Sequence, residues 1–155
     1  MNRVISLGRT LKQQRMNVKM AKIKRQIALD YEVEALQNLQ EILDYKGGSL
    51  VAEFAFEVAD CFYKLRRYRN CIMVLDSIMA DENRKMPKIQ NLKGQCYMKL
   101  GELKKAIDHL EVCLVIDPKF KVAHNNLGNI YMQQKEYDKC RIYYDKSKKC
   151  SRFVI

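Results

Sequence analysis

The chain has 155 residues, 48% of them apolar and 30% charged, which suffices for one domain with a packed core. Its six glycines and two prolines are too few for the many turns of an all-β sandwich. No apolar run approaches the ~18 residues of a membrane-spanning helix, and Arg or Lys interrupts the first 15 residues too often for a secretory signal peptide. We therefore expect an intracellular, helical protein of the cytoplasm, including its cytoskeleton or cilium.

The formal net charge of +11 is concentrated near the amino end of the sequence. Residues 1–29 contain eight basic side chains and no acidic one, whereas the remaining residues contain 21 basic and 18 acidic side chains. The eight are Arg3, Arg9, Lys12, Arg15, Lys19, Lys22, Lys24 and Arg25. Residues 1–15 are predicted to form a basic N-terminal arm for an acidic surface of protein, RNA or anionic lipid. An uncleaved leader, which would place the protein in the mitochondrion, and a solvated tail remain open as alternatives.

Residues 16–51 are predicted to form a degenerate helix pair. In the first helix, Met16–Ile27, apolar residues recur every three or four positions. The second helix, over residues 29–43, is amphipathic. Its apolar face consists of Val33, Leu36, Leu39, Ile42 and Leu43. Gly47 and Gly48 would end this helix, since glycine is the usual helix stop.

Three further units, over residues 52–86, 87–120 and 121–155, repeat with a period of 34 or 35 residues. In their first helices, Ala59, Gly94 and Gly128 correspond, as do Phe62, Tyr97 and Tyr131. In their second helices, Cys71, Ala106 and Cys140 correspond, as do Leu75, Leu110 and Tyr144. Because one helix pair cannot bury its apolar face alone, this spacing indicates pairs that stack on one another.

The small residues at 59, 94 and 128 predict a close approach of the two helices in each pair. A longer side chain at these places would hold the two backbones apart. The aromatic residue one turn later lies on the same helix face and would fill the space beside the contact.

These units resemble the tetratricopeptide repeat. The residues that carry the resemblance are Leu127-Gly128-Asn-Ile-Tyr131, Ala106 and Asp117-Pro118, and the similarity extends over Ala52–Ile155. The chain departs from the family pattern at Lys93, which replaces a Leu, and at Gln90 and His124, which replace a Trp. The related pentatricopeptide family binds RNA, but the Gly/Tyr and Asp-Pro marks favour the protein-binding family.

The resemblance implies an all-α fold, a right-handed superhelical stack of antiparallel helix pairs. It also implies that the first helix of each unit lines a concave side on which ligands lie. The predicted partner groove comprises Lys88, Asn91, Gln95, Met98, Asn125, Asn129 and Met132. Amides can hydrogen-bond an extended peptide and Met adapts its shape, although a solvated face without a ligand is an equal alternative.

Chaperone-binding members of this family grip a C-terminal carboxylate with a clamp of Lys and Asn. The clamp positions of this chain carry Phe56, Asp60, Leu92, Val122 and Asn126. Asp60 has the wrong sign of charge for a carboxylate, and a shift of the frame by one repeat recovers only Asn126. We therefore do not expect a chaperone carboxylate-clamp binder.

No pattern for catalysis or metal binding is recognisable in the sequence. It lacks a phosphate-binding glycine loop, a G-x-S-x-G nucleophile motif and an H-E-x-x-H motif. The six cysteines are scattered without a C-x-x-C, and His109 and His124 have no paired cysteines nearby. We expect reduced, packing cysteines, no metal, no cofactor and no enzymatic activity.

The last helix, near residues 136–150, is predicted to present a C-terminal partner face. Tyr137, Ile142, Tyr143 and Tyr144 form its apolar stripe, and only five residues follow, too few for a covering helix.

The leading hypothesis is a non-catalytic protein–protein interaction scaffold, a small subunit that docks into a larger multiprotein assembly. The alternative is a nucleic-acid-associated subunit of a ribonucleoprotein particle, with the basic arm on phosphate.

Overall fold

The computed structural model describes the backbone of residues 2–44, 52–78 and 86–151. This part of the chain forms eight helices and no strand, so the predicted all-α fold is confirmed. The helices are α1 (Asn2–Ala28), α2 (Glu32–Leu43), α3 (Ala52–Lys64), α4 (Tyr68–Ile78), α5 (Pro87–Lys99), α6 (Leu103–Ile116), α7 (Lys121–Gln133) and α8 (Tyr137–Ser151). Side chains are described for residues 11–44, 54–77 and 86–149. The predicted loop at Gly47 and Gly48 lies outside the described residues.

The chain divides into two compact units, Met1–Arg67 and Tyr68–Ile155. In the first unit, α1 packs against α2 and α3. In the second, α5 pairs with α6 and α7 with α8, while α4 packs against α5 and α6 against α7. Helix α1 continues through residue 15, where the arm was expected to end.

One type of turn ends the first helix of every pair. Asp30, Arg66, Gly101 and Lys135 each adopt a positive φ, between 56° and 77°. The amide of the next residue donates to the carbonyl five residues back: Tyr31 to Gln26, Arg67 to Phe62, Glu102 to Tyr97 and Glu136 to Tyr131, at 2.8–2.9 Å. This Schellman arrangement satisfies carbonyls that the helix end leaves without partners. It also places α2 later than expected, because the turn occupies residues 29–31.

Two glycines of the second unit, Gly94 and Gly128, mark the predicted close helix contacts. A β-carbon on Gly94 would lie 2.7 Å from Leu110 Cγ, and one on Gly128 would lie 2.7 Å from the Tyr144 ring. Both distances are too short for real carbon contacts, so neither position has room for a side chain. Gly94 is therefore in direct contact with Leu110, and Gly128 with Tyr144, across their helix pairs.

The core of the first unit is built from α1, α2 and α3. Met20 and Ile23 of α1 are buried, as are Leu39 and Ile42 of α2. Val33 was expected on this apolar face but is 65% exposed. Helix α2 begins at Glu32, and its first buried residue is Ala35. Ala35 lies one turn before Leu39 on the same helix face, and Val33 lies on a different face.

All described cysteines are buried, and no disulfide joins them to one another. They are Cys61, Cys71, Cys96, Cys113 and Cys140; the side chain of Cys150 lies outside the described part. Burial raises the pKa of the Cys61 and Cys113 thiols to about 11 each, because a thiolate is poorly solvated among apolar neighbours. These thiols therefore act as small apolar core residues.

The raised thiol pKa values predict that stability falls at high pH. An unfolded thiol ionises near its ordinary pKa of 9.0, whereas Cys61 and Cys113 stay protonated until about 11. The unfolded state therefore loses its protons first, and the free energy of unfolding should decrease between these two values and not below them. Urea unfolding from pH 8 upward measures this. The double variant Cys61→Ala, Cys113→Ala should lose less stability over the same range; an equal loss would show that other groups cause it.

The close helix contact predicts that Gly128→Ala is destabilising, by about 1–3 kcal/mol, because the added methyl group meets the Tyr144 ring. Chemical unfolding gives the cost. In a Tyr144→Ala background the same substitution should cost clearly less, and additive effects would contradict this contact. Lys135→Gly is the matched control, since glycine suits the positive φ of 61° and should not destabilise.

Candidate functional site

The predicted partner groove lies on α5 and α7, where equivalent residues are 34 positions apart. The side chains of Lys88, Asn129 and Met132 are exposed, and those of Gln95, Met98 and Asn125 are half-buried. Val122, which is equivalent to Lys88, is also exposed. These two helices thus present a mixed surface of one lysine, amides, methionines and one valine.

Asn91 differs from the other predicted groove residues because it is buried, with 7% of its surface exposed. Its Oδ1 accepts a hydrogen bond of 3.1 Å from Nδ2 of Asn126, which is buried as well. The amide pair connects α5 to α7 beneath the surface. Asn91 is therefore a structural residue and does not line the groove. The burial of Asn126 also removes the one clamp-type asparagine from contact with a ligand.

The predicted C-terminal partner face is divided between two sides of α8. Tyr137 and Ile142 are exposed, at 63% and 52%. Tyr143 and Tyr144 are half-buried against α7, which corrects their expected place on an uncovered stripe. Tyr143 stacks on Tyr131 with ring centroids 5.5 Å apart, and the Tyr144 ring covers Gly128.

Tyr144 also reaches the predicted groove. Its hydroxyl donates a hydrogen bond of 2.6 Å to Oδ1 of Asn129. The carbonyl side of this amide is therefore engaged within the protein, and its NH₂ group supplies the remaining donors. Replacement of Tyr144 would disturb both the helix contact and Asn129, so it cannot serve as a pure probe of partner binding.

A partly buried polar cluster around Lys93 in the second unit was not predicted. Lys93 Nζ lies 2.6 Å from Asp76 Oδ1, and this lysine side chain is 6% exposed. His109 Nδ1 lies 2.8 Å from Gln90 Oε1, and the His109 ring stacks on Tyr97 at 5.3 Å. Burial lowers the pKa of His109, as does the nearby charge of Lys93, while Asp76 opposes this shift. The departure of Lys93 from the family's Leu was the sequence signal for this cluster.

The basic arm is helical within α1, and its described cations differ in their partners. Lys12, Arg15, Lys22 and Arg25 are exposed, whereas Lys19 pairs with Glu41 at 2.7 Å and Lys24 with Glu57 at 2.6 Å. The bond to Glu57 raises the pKa of Lys24, and the bond from Lys19 lowers that of Glu41. Arg3 and Arg9 belong to the helix, but their side chains lie outside the described residues.

No group of three potential metal ligands exists among the residues whose side chains are described. Of the helices in the described ranges, none is both long enough and apolar enough to cross a membrane.

Several curated proteins are similar to part of this chain. "Hsp70-Hsp90 organizing protein 2" of Arabidopsis thaliana is 27% identical over 90 residues, which are 58% of this chain and 16% of that protein. "Uncharacterized protein ycf37" of Pyropia yezoensis is 33% identical over 82 residues, 53% of this chain and 43% of that protein. The similarity thus spans less than half the length of these relatives.

Solved structures of the protein MamA have the same fold, that of a tetratricopeptide-like α-solenoid. One of them superposes with a TM-score of 0.71 at 20% identity and covers 94% of this chain and 84% of its own. "MamA 41-end from Desulfovibrio magneticus RS-1" superposes with a TM-score of 0.74 at 15% identity, covering 90% and 77% of the two chains. The predicted solenoid class is confirmed by this likeness.

Three family models match the sequence. The model described as "Anaphase-promoting complex, cyclosome, subunit 3" matches residues 33–113, slightly more than half of the chain. A TPR repeat model matches residues 94–135, and a tetratricopeptide repeat model matches residues 122–151. The chain therefore belongs to the tetratricopeptide repeat family, and the model that covers the largest part of it is that of anaphase-promoting complex, cyclosome, subunit 3.

Proposed function

We propose that this protein is a small scaffold subunit that docks into a larger multiprotein assembly through the surface of α5 and α7. Its family makes it a protein-interaction scaffold, and proteins of this kind are generally non-catalytic. The assembly and the surface that meets it are the proposed part.

The observation that carries the proposal is the chemistry of the α5 and α7 surface. Met132 and Val122 are exposed apolar residues, although water disfavours such side chains. Gln95 and Asn125 lie half-buried on the same two helices, and amides can pair with the backbone of an extended peptide. Apolar contact together with amide hydrogen bonding suits a peptide segment better than a small polar ligand.

Two comparisons support an assembly as the setting. The family model over residues 33–113 is named after a subunit of a complex. The name of the Arabidopsis relative describes a protein that organises two others. Both are consistent with a chain whose role is to hold proteins together.

The ribonucleoprotein alternative depends on α1. Lys12, Arg15, Lys19 and Lys22 follow one another at intervals of three or four residues, so they share one face of the helix. No acidic residue interrupts them before Asp30. Such a row can contact phosphates, and it can equally contact an acidic protein, so nuclease treatment is the measurement that separates the two.

The groove proposal predicts that Met132→Glu weakens association with the native partners. A charge on this exposed apolar residue must be desolvated on binding, and we expect a loss of roughly tenfold or more in affinity. Quantitative co-purification from the source cells, with mass spectrometry of the bound proteins, gives the measurement. Met73→Glu on α4 is the matched control, since Met73 is similarly exposed but lies outside the groove. Equal recovery of partners with both variants would contradict the proposal.

If the basic arm binds an acidic surface, association of the protein with its partners should depend on the salt concentration. Reversing the charges of Lys12, Arg15 and Lys22 to Glu should weaken binding most at low ionic strength, without altering the helical circular dichroism. Reversal of three exposed lysines of the second unit, Lys104, Lys119 and Lys148, is the control with the same change in net charge.

Nuclease treatment then assigns the partner of the arm. If association survives nuclease, the arm meets protein, as the scaffold proposal requires. If nuclease abolishes it, and log affinity falls steeply and linearly with log salt, the ribonucleoprotein alternative holds instead.

A further inference from the structure

Helix α1 has a line of exposed side chains on the side opposite to its buried residues Met20 and Ile23. The line advances by four and three positions alternately, and a helix turns by about 100° per residue, so its members lie within about 80° of one another around the axis. Leu29 directly follows the last helical residue, and its amide donates to the carbonyl of Arg25 at 3.0 Å, which keeps it on the line. The members of this line, which we call the α1 stripe, are Leu11, Arg15, Val18, Lys22, Arg25 and Leu29.

Three members of the α1 stripe are apolar, although they face water. Leu11, Val18 and Leu29 are 55%, 71% and 54% exposed. Single exposed apolar residues are common on protein surfaces, but a solvated helix face has no need of three on one line. Their placement indicates a surface that is covered when α1 binds another molecule.

The other three members of the stripe are cations without counter-charges. The ion pairs of α1 involve Lys19 and Lys24, which lie to either side of its buried face and bind glutamates of α2 and α3. Arg15, Lys22 and Arg25 are exposed, and no residue with a described side chain forms an ion pair with them. An occupant that covers the stripe must therefore bring negative charge, since a covered cation without a counter-charge is costly.

The spacing of the stripe favours a helix as this occupant. Alternating steps of four and three residues are the spacing of the a and d positions, through which two helices of a coiled coil contact each other. The stripe extends over residues 11–29, which is about 27 Å along a helix. A second helix can pack side by side with α1 over this length, and its side chains then fit between those of the stripe.

A second copy of α1 cannot be the helix that docks here. In a parallel arrangement each member of the stripe would face its own counterpart, so Arg15 would meet Arg15 and Lys22 would meet Lys22. In an antiparallel arrangement Arg15 would face Arg25, and Val18 would face Lys22. Both arrangements bring like charges together, which disfavours association of two copies through this face.

A lipid surface fits the stripe less well than a helix does. Helices that lie in a membrane surface keep their cations and their apolar residues on separate faces. The continuous apolar face of α1, with Met20 and Ile23, is already packed within the first unit. On the stripe, cations and apolar residues share one line, so apolar residues could not enter the bilayer without the cations beside them.

We propose that the α1 stripe docks an acidic amphipathic helix of a partner protein. This helix presents carboxylates opposite the three cations of the stripe and apolar side chains opposite its two leucines and its valine. The apolar contacts exclude water from the seam, and the charge-assisted hydrogen bonds between carboxylates and cations fix the register of the two helices. The inference rests on the proposed role as a scaffold, but it involves no residue of α5 or α7.

The test uses a fluorescently labelled, capped peptide of about six helical turns. Its seam positions, in the spacing of the stripe, carry Leu, Glu, Val, Glu, Glu and Leu, and Ala and Gln occupy the other positions. A second peptide has the seam in reverse order for antiparallel docking. Fluorescence anisotropy during titration with the full chain should show binding of at least one order. Absence of binding by both peptides would overturn the proposal.

A peptide of identical composition separates docking of the seam from general attraction to a basic helix. Its three glutamates are moved to the side opposite the seam, so its net charge is unchanged. We expect it to bind at least about tenfold more weakly, because the cations of the stripe would then face no carboxylate. Equal affinity of the two arrangements would contradict the proposal.

Two variants with the same added charge locate the peptide on α1. Val18→Glu places a carboxylate in the middle of the stripe and should weaken binding by about tenfold or more. Asn17 is also exposed but lies about 100° further around the helix, so Asn17→Glu should stay within about twofold of the unaltered protein. Equal losses in both variants would show that the net charge of α1, and not the stripe, holds the peptide.

A reversal of charges on both partners does not depend on the stability of a variant. The triple change of Arg15, Lys22 and Arg25 to Glu should abolish binding of the acidic peptide and create binding of a peptide with Lys at the three seam positions. Unfolding cannot produce such a gain, and its absence would contradict the pairing. Met132→Glu should leave the affinity for the acidic peptide unchanged, so this proposal and the one for α5 and α7 can fail separately.

Vesicles test the other class of surface. Co-sedimentation with vesicles of phosphatidylcholine and phosphatidylserine in equal parts should show little binding at physiological salt. Binding to these vesicles that the acidic peptide does not displace, and that Val18→Glu abolishes, would assign the stripe to a membrane and overturn the proposal.

Discussion

The close approach of two helices at a residue without a side chain is the constraint on which the second unit depends. At Gly94 and Gly128 the backbone lies directly against Leu110 and Tyr144 of the paired helix. This contact fixes how far apart the helix axes are, and the Schellman turn fixes where the second helix begins. The rows of residues that can touch across the pair then follow from the helical repeat alone.

The helix position one turn after that contact is occupied by Gln26, Tyr97 and Tyr131 in three of the helix pairs. These side chains contact the second helix of the pair in different ways. In the first pair, Asn38 Nδ2 donates to Gln26 Oε1 at 3.0 Å. In the later pairs, Tyr97 stacks on His109 and Tyr131 stacks on Tyr143. A hydrogen bond or a ring stack thus joins the helices at the same place, because the backbone already brings the two side chains within reach.

The sequence was a good guide to whatever follows from period and residue size. The helices, the glycine contacts and the buried cysteines could all be predicted, since apolar spacing and small residues act locally and repeat. Whether a given polar residue is buried or exposed could not be predicted. Asn91 was expected to face a ligand but bonds to Asn126, and Tyr143 and Tyr144 were expected to be uncovered but pack on α7. Whether an amide or a phenol is inside or outside depends on partners 12 to 35 residues away, which a helical period does not reveal.

The ion pair between the buried Lys93 and the exposed Asp76 also limits how this array could be rearranged. A lysine held in the interior requires its counter-charge on the preceding helix, and at the next repeat the corresponding places are occupied by Leu127 and Glu111. If the units at 87–120 and 121–155 exchanged places, Asp76 would meet a leucine and lose its partner. These repeats share a backbone plan, yet they are not interchangeable modules. Duplication or shuffling of a single unit would therefore be destabilising unless the residues at these positions were substituted so that each charge had a partner.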